Sequence, residues 1–414
     1  SNENFMSGVR AITDLKLRAS YGEIGSNNVG IYAIDPSLNL FSEYIVGEDP
    51  GRVPGYSITN GVNANITWET TRTTDIGIDF TTLGGKLGIT ADYFIKNSED
   101  VLVGLRLPLY TGFGNPIPFN TASIRNAGFE FGANYSETFG EWTFGAFGNF
   151  SIINNVVTAL GDATPIIQGS FTSNTINSTR TDVGEPIGSF YGYVVDGIYQ
   201  TDDEAAAAND QVGNPQAGDF RFKDLDEDGD IDEDDRTYIG NPTPNFEYAL
   251  NLNIGYGGFD LNLFFNGVSG NTILNGTRYR GYFDFNGNYF ADALNAWTPT
   301  NTDTEIPRNT QADPGFNRRM SDFYLENGSY FRLRNAQLGY TFPEGVLNRL
   351  RMSKLRIYIS TMNLFTITEY TGYYPEVGRN GRGAGNNQRI FNSGVDEGAY
   401  PVPREYRAGI QVSF

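Results

Sequence analysis

The sequence predicts an all-β protein, a transmembrane antiparallel β-barrel or a large part of one. Three observations carry that expectation. Apolar and polar residues alternate with period two through most of the chain, connections alternate between short and long, and glycine and aromatic residues are abundant. The 414 residues include 50 glycines, 25 tyrosines and 30 phenylalanines. Glycine therefore stands at roughly 12% against a usual value near 7%, which favours strands and turns over helices. Nowhere is there a run of about 18 apolar residues, so any crossing of a bilayer would be made by strands.

The strands follow in order at about 14–24, 72–82, 86–97, 127–136, 141–153, 246–256, 258–268, 329–342, 353–364 and 406–414. From Ala127 to Ser136, Ala127, Phe129, Phe131, Ala133 and Tyr135 oppose Gly128, Glu130, Gly132 and Asn134. Phe246, Tyr248, Leu250, Leu252, Ile254 and Tyr256 likewise oppose Glu247, Ala249, Asn251, Asn253 and Gly255. The last segment places Tyr406, Ala408, Ile410, Val412 and Phe414 on one face and Arg407, Gly409, Gln411 and Ser413 on the other. Each segment is close to the roughly 9–11 residues that a tilted strand needs to cross. One strand changes parity: Phe331 and Leu333 are odd, whereas Ala336, Leu338, Tyr340 and Phe342 are even. A β-bulge near Asn335 would produce that switch.

Short connections fall at Leu83–Lys86, Glu137–Glu141, Gly255–Gly258 and Pro343–Met352, and long ones at about 25–71, 98–123, 154–244, 269–328 and 365–403. Counting strands up and down puts every short turn on the side of Phe414. Outer-membrane barrels keep short turns in the periplasm and long loops outside, so the long segments are expected to be extracellular and the C-terminus periplasmic. A soluble β-sandwich also alternates apolar and polar residues. Against it, the polar faces are rich in Gly, Asn, Ser and Asp, as a wet lumen allows. Tyr21, Phe80, Tyr135, Trp142, Tyr256, Phe259 and Phe342 gather at strand ends, where interfacial girdles form. Loops of about forty to ninety residues are also uncommon in compact soluble domains.

Composition removes several functions. With no histidine and no cysteine, the chain has no imidazole base, thiolate nucleophile, disulfide or His-ligated metal. A formal charge of −20 disfavours nucleic acid as a partner. A barrel enzyme would need a base, and no compact acid pair sits on a strand rim, so the chain is not expected to be an enzyme.

The sharpest local motif is the acidic stretch Asp224 to Asp235. Numbered as a calcium loop, it places Asp224, Asp226 and Asp228 at positions 1, 3 and 5 and Gly229 at 6. The carbonyl of Asp230 falls at 7, Ile231 at 8, Asp232 at 9 and Asp235 at 12. Alternating oxygens wrap a hard cation, and so many carboxylates repel one another without one. Ca2+ is the expected cofactor, although Asp replaces the usual Glu at position 12; a solvated acidic loop is the alternative. The segment 269–328 carries Arg278, Tyr279, Arg280, Tyr282, Phe283, Phe285, Tyr289, Phe290 and Trp297. Arg278, Tyr279, Arg280, Tyr282 and Trp297 are candidates for gripping a substrate or partner, against the plainer reading that they pack a long loop.

Several segments together resemble the SusC/RagA-type TonB-dependent outer-membrane transporters. They are Trp68 to Phe80 (WETTRTTDIGIDF), Gly184 to Gln200 (GEPIGSFYGYVVDGIYQ), and Gly218 through the acidic loop to Pro242. Trp297-Thr-Pro, Tyr330 to Pro343 (YFRLRNAQLGYTFP) and Asn363 to Thr366 (NLFT) complete the set. The resemblance spans all 414 residues, and the terminal aromatic strand resembles the signal read during outer-membrane assembly. It implies that the chain is about the last ten strands of a 22-stranded barrel, embedded in outer-membrane lipid. Neither a plug domain nor a TonB box is found in it, so it is expected to be a fragment completed by an N-terminal barrel and plug portion. The resemblance further implies import of oligosaccharides or peptides together with a SusD-like surface lipoprotein, energised by TonB acting on the missing plug. The alternative is a SusC-like barrel serving as a structural scaffold in a larger outer-membrane complex.

Overall fold

Alternating sequence and tight turns fold the chain into a ten-stranded antiparallel meander in which every strand pairs with its sequential neighbours in the sheet. The computed structural model describes residues 12–27, 35–45, 52–58, 61–105, 109–112, 117–161, 166–171, 176–208, 210–211, 213–283, 288–377 and 389–414. The sheet strands are β1 (Ile12–Ser26), β2 (Glu69–Thr82), β3 (Leu87–Leu105), β4 (Ile117–Phe139) and β5 (Trp142–Ala159), then β6 (Phe246–Tyr256), β7 (Phe259–Ser269), β8 (Tyr330–Thr341), β9 (Lys354–Thr368) and β10 (Glu405–Ser413). All ten expected strands are present. β1 and β10 are the two edges of the sheet.

The two faces of this sheet differ from those of a soluble protein. On the outer face, Leu17, Phe129, Ile152, Ile359, Ile367, Tyr406 and Ile410 are all exposed. The opposite, inner face carries Arg18, Asp79, Asp92, Asn251, Asn262 and Arg356. An apolar exterior over a polar interior is the pattern of a barrel wall in lipid. At the short-turn end, aromatic rings pair across strands: Trp142 stacks on Tyr256 at 4.3 Å, and Phe259 meets Tyr340 at 4.6 Å. Among the described residues no helix is long and apolar enough to cross a membrane.

The bulge lies where the parity switch puts it. Phe264 pairs with Asn335 and Phe265 with Leu333, leaving Arg334 as the extra residue. Across the other edge of β8, Leu333 pairs with Phe365 and Asn335 with Met362, and Asn363 adopts a positive φ of 52°.

One expected loop is corrected. The segment 98–123 is largely a continuation of the β3–β4 hairpin, which stays paired to Leu105 opposite Ile117. Register shifts between Ser98 and Val101 and between Val101 and Leu102, with Asp100 at a φ of 55°, break the alternation that marks the strand in the sequence. Beyond this irregularity the hairpin leaves the two-faced environment: Val103, Ala122, Val157, Leu160 and Phe391 bury one another.

Buried apolar side chains are therefore concentrated at the long-loop end. The long connections fold into a layer of small sheets there. Thr237–Gly240, Ser189–Gly192, Ile176–Thr181 and Ile166–Phe171 form one sheet, and Val195–Ile198 pairs with Phe220–Phe222. Thr272–Asn275 sits between Leu325–Asn327 and Val395–Asp396, joining the connection after β7 to the one after β9.

Candidate functional site

The loop layer is built around two aromatic cores. Phe190, Leu274, Tyr282, Phe283, Met320, Tyr324 and Val395 form one. Tyr193, Ile198, Phe220, Phe222, Ile231 and Trp297 form the other. Ile231, position 8 of the acidic loop, is 2% exposed and so anchors that loop to the second core. The short strand Asp230–Ile231 also pairs in parallel with Asp210–Gln211.

Within the acidic loop three carboxylates turn toward one another. Single oxygens of Asp224, Asp226 and Asp235 lie within 4.8 Å of one another. The backbone wraps them: Gly229 N donates to Asp224 Oδ2 at 3.1 Å, and Glu227 N donates to Asp224 Oδ1 at 2.7 Å. Asp235, almost fully buried, accepts from Leu225 N at 2.6 Å and Asp232 N at 2.9 Å. Gly229 turns the chain at a φ of 98°, a conformation that glycine adopts without strain. Desolvation, with the charges of Asp228, Asp235 and Asp224, raises the Asp226 carboxyl above its ordinary range, against a lowering hydrogen bond from Asp228 N. Three of the five expected ligands thus converge. Asp228 stands outside the cluster, its Oδ1 accepting from Asp230 N at 2.9 Å, and the backbone of Asp230 pairs with Asp210. Three hard oxygen donors around a glycine turn fit a divalent cation of the calcium type.

The aromatic and arginine candidates separate. Trp297 is 7% exposed, its indole N–H donating to Gln200 Oε1 at 3.0 Å, and Tyr282 is equally buried in the first core. Arg278 lies 4.1 Å above the Phe323 ring and 4.0 Å from Glu326. Tyr279 packs on Phe283 and Tyr324 and borders a cleft with Arg318 and Arg319. Arg280 is exposed and reaches the carbonyl of Glu397 at 3.3 Å. Phe285 lies outside the described residues.

Two polar centres carry no local signal in the sequence. Asp219, fully buried, accepts from Arg308 Nε at 2.7 Å, Arg308 Nη2 at 2.9 Å, Asn317 Nδ2 at 2.9 Å and Gln216 N at 2.9 Å. Arg308 and Asn317 are 89 and 98 residues away. On the inner face of β8, Arg332 is 1% exposed and donates to Thr366 Oγ1, Tyr374 Oη and Glu376 Oε2. The segment that follows β9 is thereby strapped back against the inner wall. Burial raises the Glu376 carboxyl, but hydrogen bonds from Tyr374 and Arg332 and the charges of Arg332 and Arg334 outweigh it, leaving the group below the ordinary Glu range.

An open meander with an apolar outside, a polar inside and a folded loop layer at one end defines a membrane β-barrel wall. The comparisons give its family. The family described as TonB dependent receptor-like, beta-barrel matches residues 7–364, and the chain belongs to it. It is 35% identical over 419 residues to TonB-dependent receptor P3 of Formosa agariphila, covering all of this chain and 41% of that protein. It is 26% identical over 435 residues to TonB-dependent receptor SusC of Bacteroides thetaiotaomicron, covering 39% of that protein. The chain thus spans about two fifths of the length of these relatives, which are receptors rather than enzymes. The fold superposes on the RagAB peptide transporter with a TM-score of 0.77 at 24% identity, over 99% of this chain and 42% of that one. The chain is therefore outer-membrane β-barrel wall of a TonB-dependent receptor, similar in sequence to SusC and in fold to the RagAB transporter.

Proposed function

We propose that this chain forms the C-terminal wall and outer mouth of a TonB-dependent importer that takes up oligosaccharides or peptides with a SusD-like lipoprotein. The observation that carries the reading is the coupling of a lipid-facing sheet to a single interlocked loop layer at one end, joined by the Thr272–Asn275 sheet. Such a layer offers a shaped mouth to a substrate or a lid, and the barrel wall offers room for a plug. The long loops lie outside, the short turns and C-terminus lie in the periplasm, and TonB acts through a plug carried elsewhere in the whole protein. Arg280 and Tyr279, on the surface and at the cleft, are the loop residues best placed to meet a partner.

Calcium at Asp224, Asp226 and Asp235 completes the mouth in this reading. Its role is to neutralise three converging carboxylates and fix the loop that Ile231 ties to the second core. Deleting the gene in its host should abolish growth on one class of polymeric nutrient, and removing the TonB box from the whole protein should do the same. A deletion strain that grows on every polymer while losing envelope assembly would replace import with the scaffold role.

A further inference from the structure

A cleft of about 540 Å³ opens in the loop layer between the end of the acidic loop, the helix Gly276–Phe283 and the turn 313–320. It gathers three arginines, Arg236, Arg318 and Arg319, from segments remote in sequence. Asp232 and Glu233 line it too, so three cations meet two anions there, an excess of positive charge in a chain of formal charge −20. Aromatic rings hold two of the guanidiniums. Arg319 lies 4.9 Å from the centre of the Phe316 ring and 5.2 Å from that of Tyr193, and Arg236 lies 4.9 Å from that of Tyr191. A ring takes the flat face of a guanidinium, which suits its fork of N–H donors to a planar anion. Arg318 Nε is 3.7 Å from Asp313, whose carboxylate also accepts from Asn317 N at 2.8 Å and Arg318 N at 3.3 Å. The turn itself is strained. Asp313 and Phe316 have φ of 44° and 54°, a region that a bulky side chain such as phenylalanine rarely enters. Strain of this kind persists where the surroundings over-determine it, and it gathers at ligand clamps. Here Asn317 pins the turn: its amide donates to buried Asp219, its side-chain oxygen accepts from Phe220 N at 2.8 Å, and its carbonyl accepts from Tyr324 Oη at 2.7 Å. The outcome is a Phe316 ring held at the cleft yet 43% exposed, beside two arginines.

We infer that this cleft binds an acidic oligosaccharide, with the sugar carboxylates on the arginines and the C–H face of a ring against Phe316 or Tyr279. The inference rests on the import reading above and narrows its substrate. Arginine forks meet a carboxylate with two parallel N–H···O bonds, which gives orientation as well as attraction. Asp232 and Glu233 are acceptors for the hydroxyl groups of the same sugar. An acidic peptide is a poorer match, because its carboxylates sit on flexible side chains that lose rotamer freedom on binding, whereas a uronate carboxylate is fixed to its ring. A neutral sugar would leave the cationic excess unanswered.

Calorimetry on the purified whole protein tests the site apart from transport. Trigalacturonate should bind about tenfold more tightly than maltotriose or triglutamate, as one charge-assisted pair predicts, and its affinity should fall as salt is raised. Arg319→Gln should weaken it about tenfold. Phe316→Gly adopts the positive φ without strain, so the turn should stay folded while the loss of the ring weakens binding about fivefold. Maltotriose bound equally well, triglutamate bound more tightly, or no binding of trigalacturonate overturns the ligand class. Unchanged affinity in either variant puts the ligand elsewhere and overturns the site. None of these results touches import. Cells whose receptor binds trigalacturonate at the cleft but accumulate none of it when energised would instead refute the import reading and leave the site standing.

Discussion

Replacing Arg308 by methionine isolates the energetics of the loop layer from those of the barrel. The side chain keeps its volume but loses both guanidinium bonds to Asp219, a carboxylate with no solvent exposure. Removing one partner of a buried ion pair costs about 3–5 kcal/mol, mostly because the remaining charge is left uncompensated. Arg308 itself is 22% exposed, and Asp219 retains Asn317 Nδ2 and Gln216 N, so the low end, about 3 kcal/mol, applies. That corresponds to roughly a hundredfold rise in the locally opened population, at about 1.4 kcal/mol per factor of ten. Limited proteolysis of the detergent-solubilised protein reads this population when opening is fast relative to cleavage. Cuts should appear within the connections 176–244 and 271–328 about a hundredfold faster, while the heat-modifiable migration of the folded barrel is unchanged. Asp219→Asn added to Arg308→Met should restore at least half of the lost protection, because it removes the orphaned charge. Unchanged protection in Arg308→Met, or a double variant no better than the single one, would refute the reasoning.

Asp224→Asn with Asp226→Asn should weaken calcium binding at least tenfold by calorimetry and leave barrel migration intact; an unchanged isotherm places the ion elsewhere. Gly218 has a φ of 90°, and a Cβ there would lie 2.4 Å from the Trp297 ring, so Gly218→Ala should displace the indole and shift its fluorescence to the red. Glu376 titrates below its ordinary 4.5, so the stabilisation from its Arg332 pair is full above 4.5 and is lost as pH falls through the lowered value. Hydrogen exchange over 370–377 should accelerate below that point in the wild type and be fast at every pH in Glu376→Gln. Of the three tryptophans, Trp142 at the short-turn rim should be quenched by brominated lipid and Trp297 in the loop core should not; equal quenching would contradict the placement of the bilayer.

Sheet and turns were legible in the sequence because a barrel wall imposes local rules. Each strand faces lipid on one side and a wet lumen on the other, so alternation survives along every crossing segment. Even the bulge at Arg334 showed, as a change of parity between Leu333 and Ala336. The rule fails where the two-faced environment ends. Past Ser98 the β3–β4 hairpin is covered by loops, and its irregular register hides a paired strand inside an apparent loop. The acidic loop was legible for a different reason: its carboxylates lie within twelve consecutive residues, so spacing alone brings Asp224, Asp226 and Asp235 together.

What only the tertiary structure decided is contact between distant segments. Trp297 and Tyr282 look like surface-gripping residues in sequence, yet both are buried, because the connections 154–244 and 269–328 share their cores. Asp219 meets Arg308 across 89 residues, and Arg332 meets Glu376 across 44. Nothing within a strand or turn marks those pairs. They form because the meander brings the outer ends of all ten strands to one side, where loops that are remote in sequence must share one small volume and bury one another's polar groups.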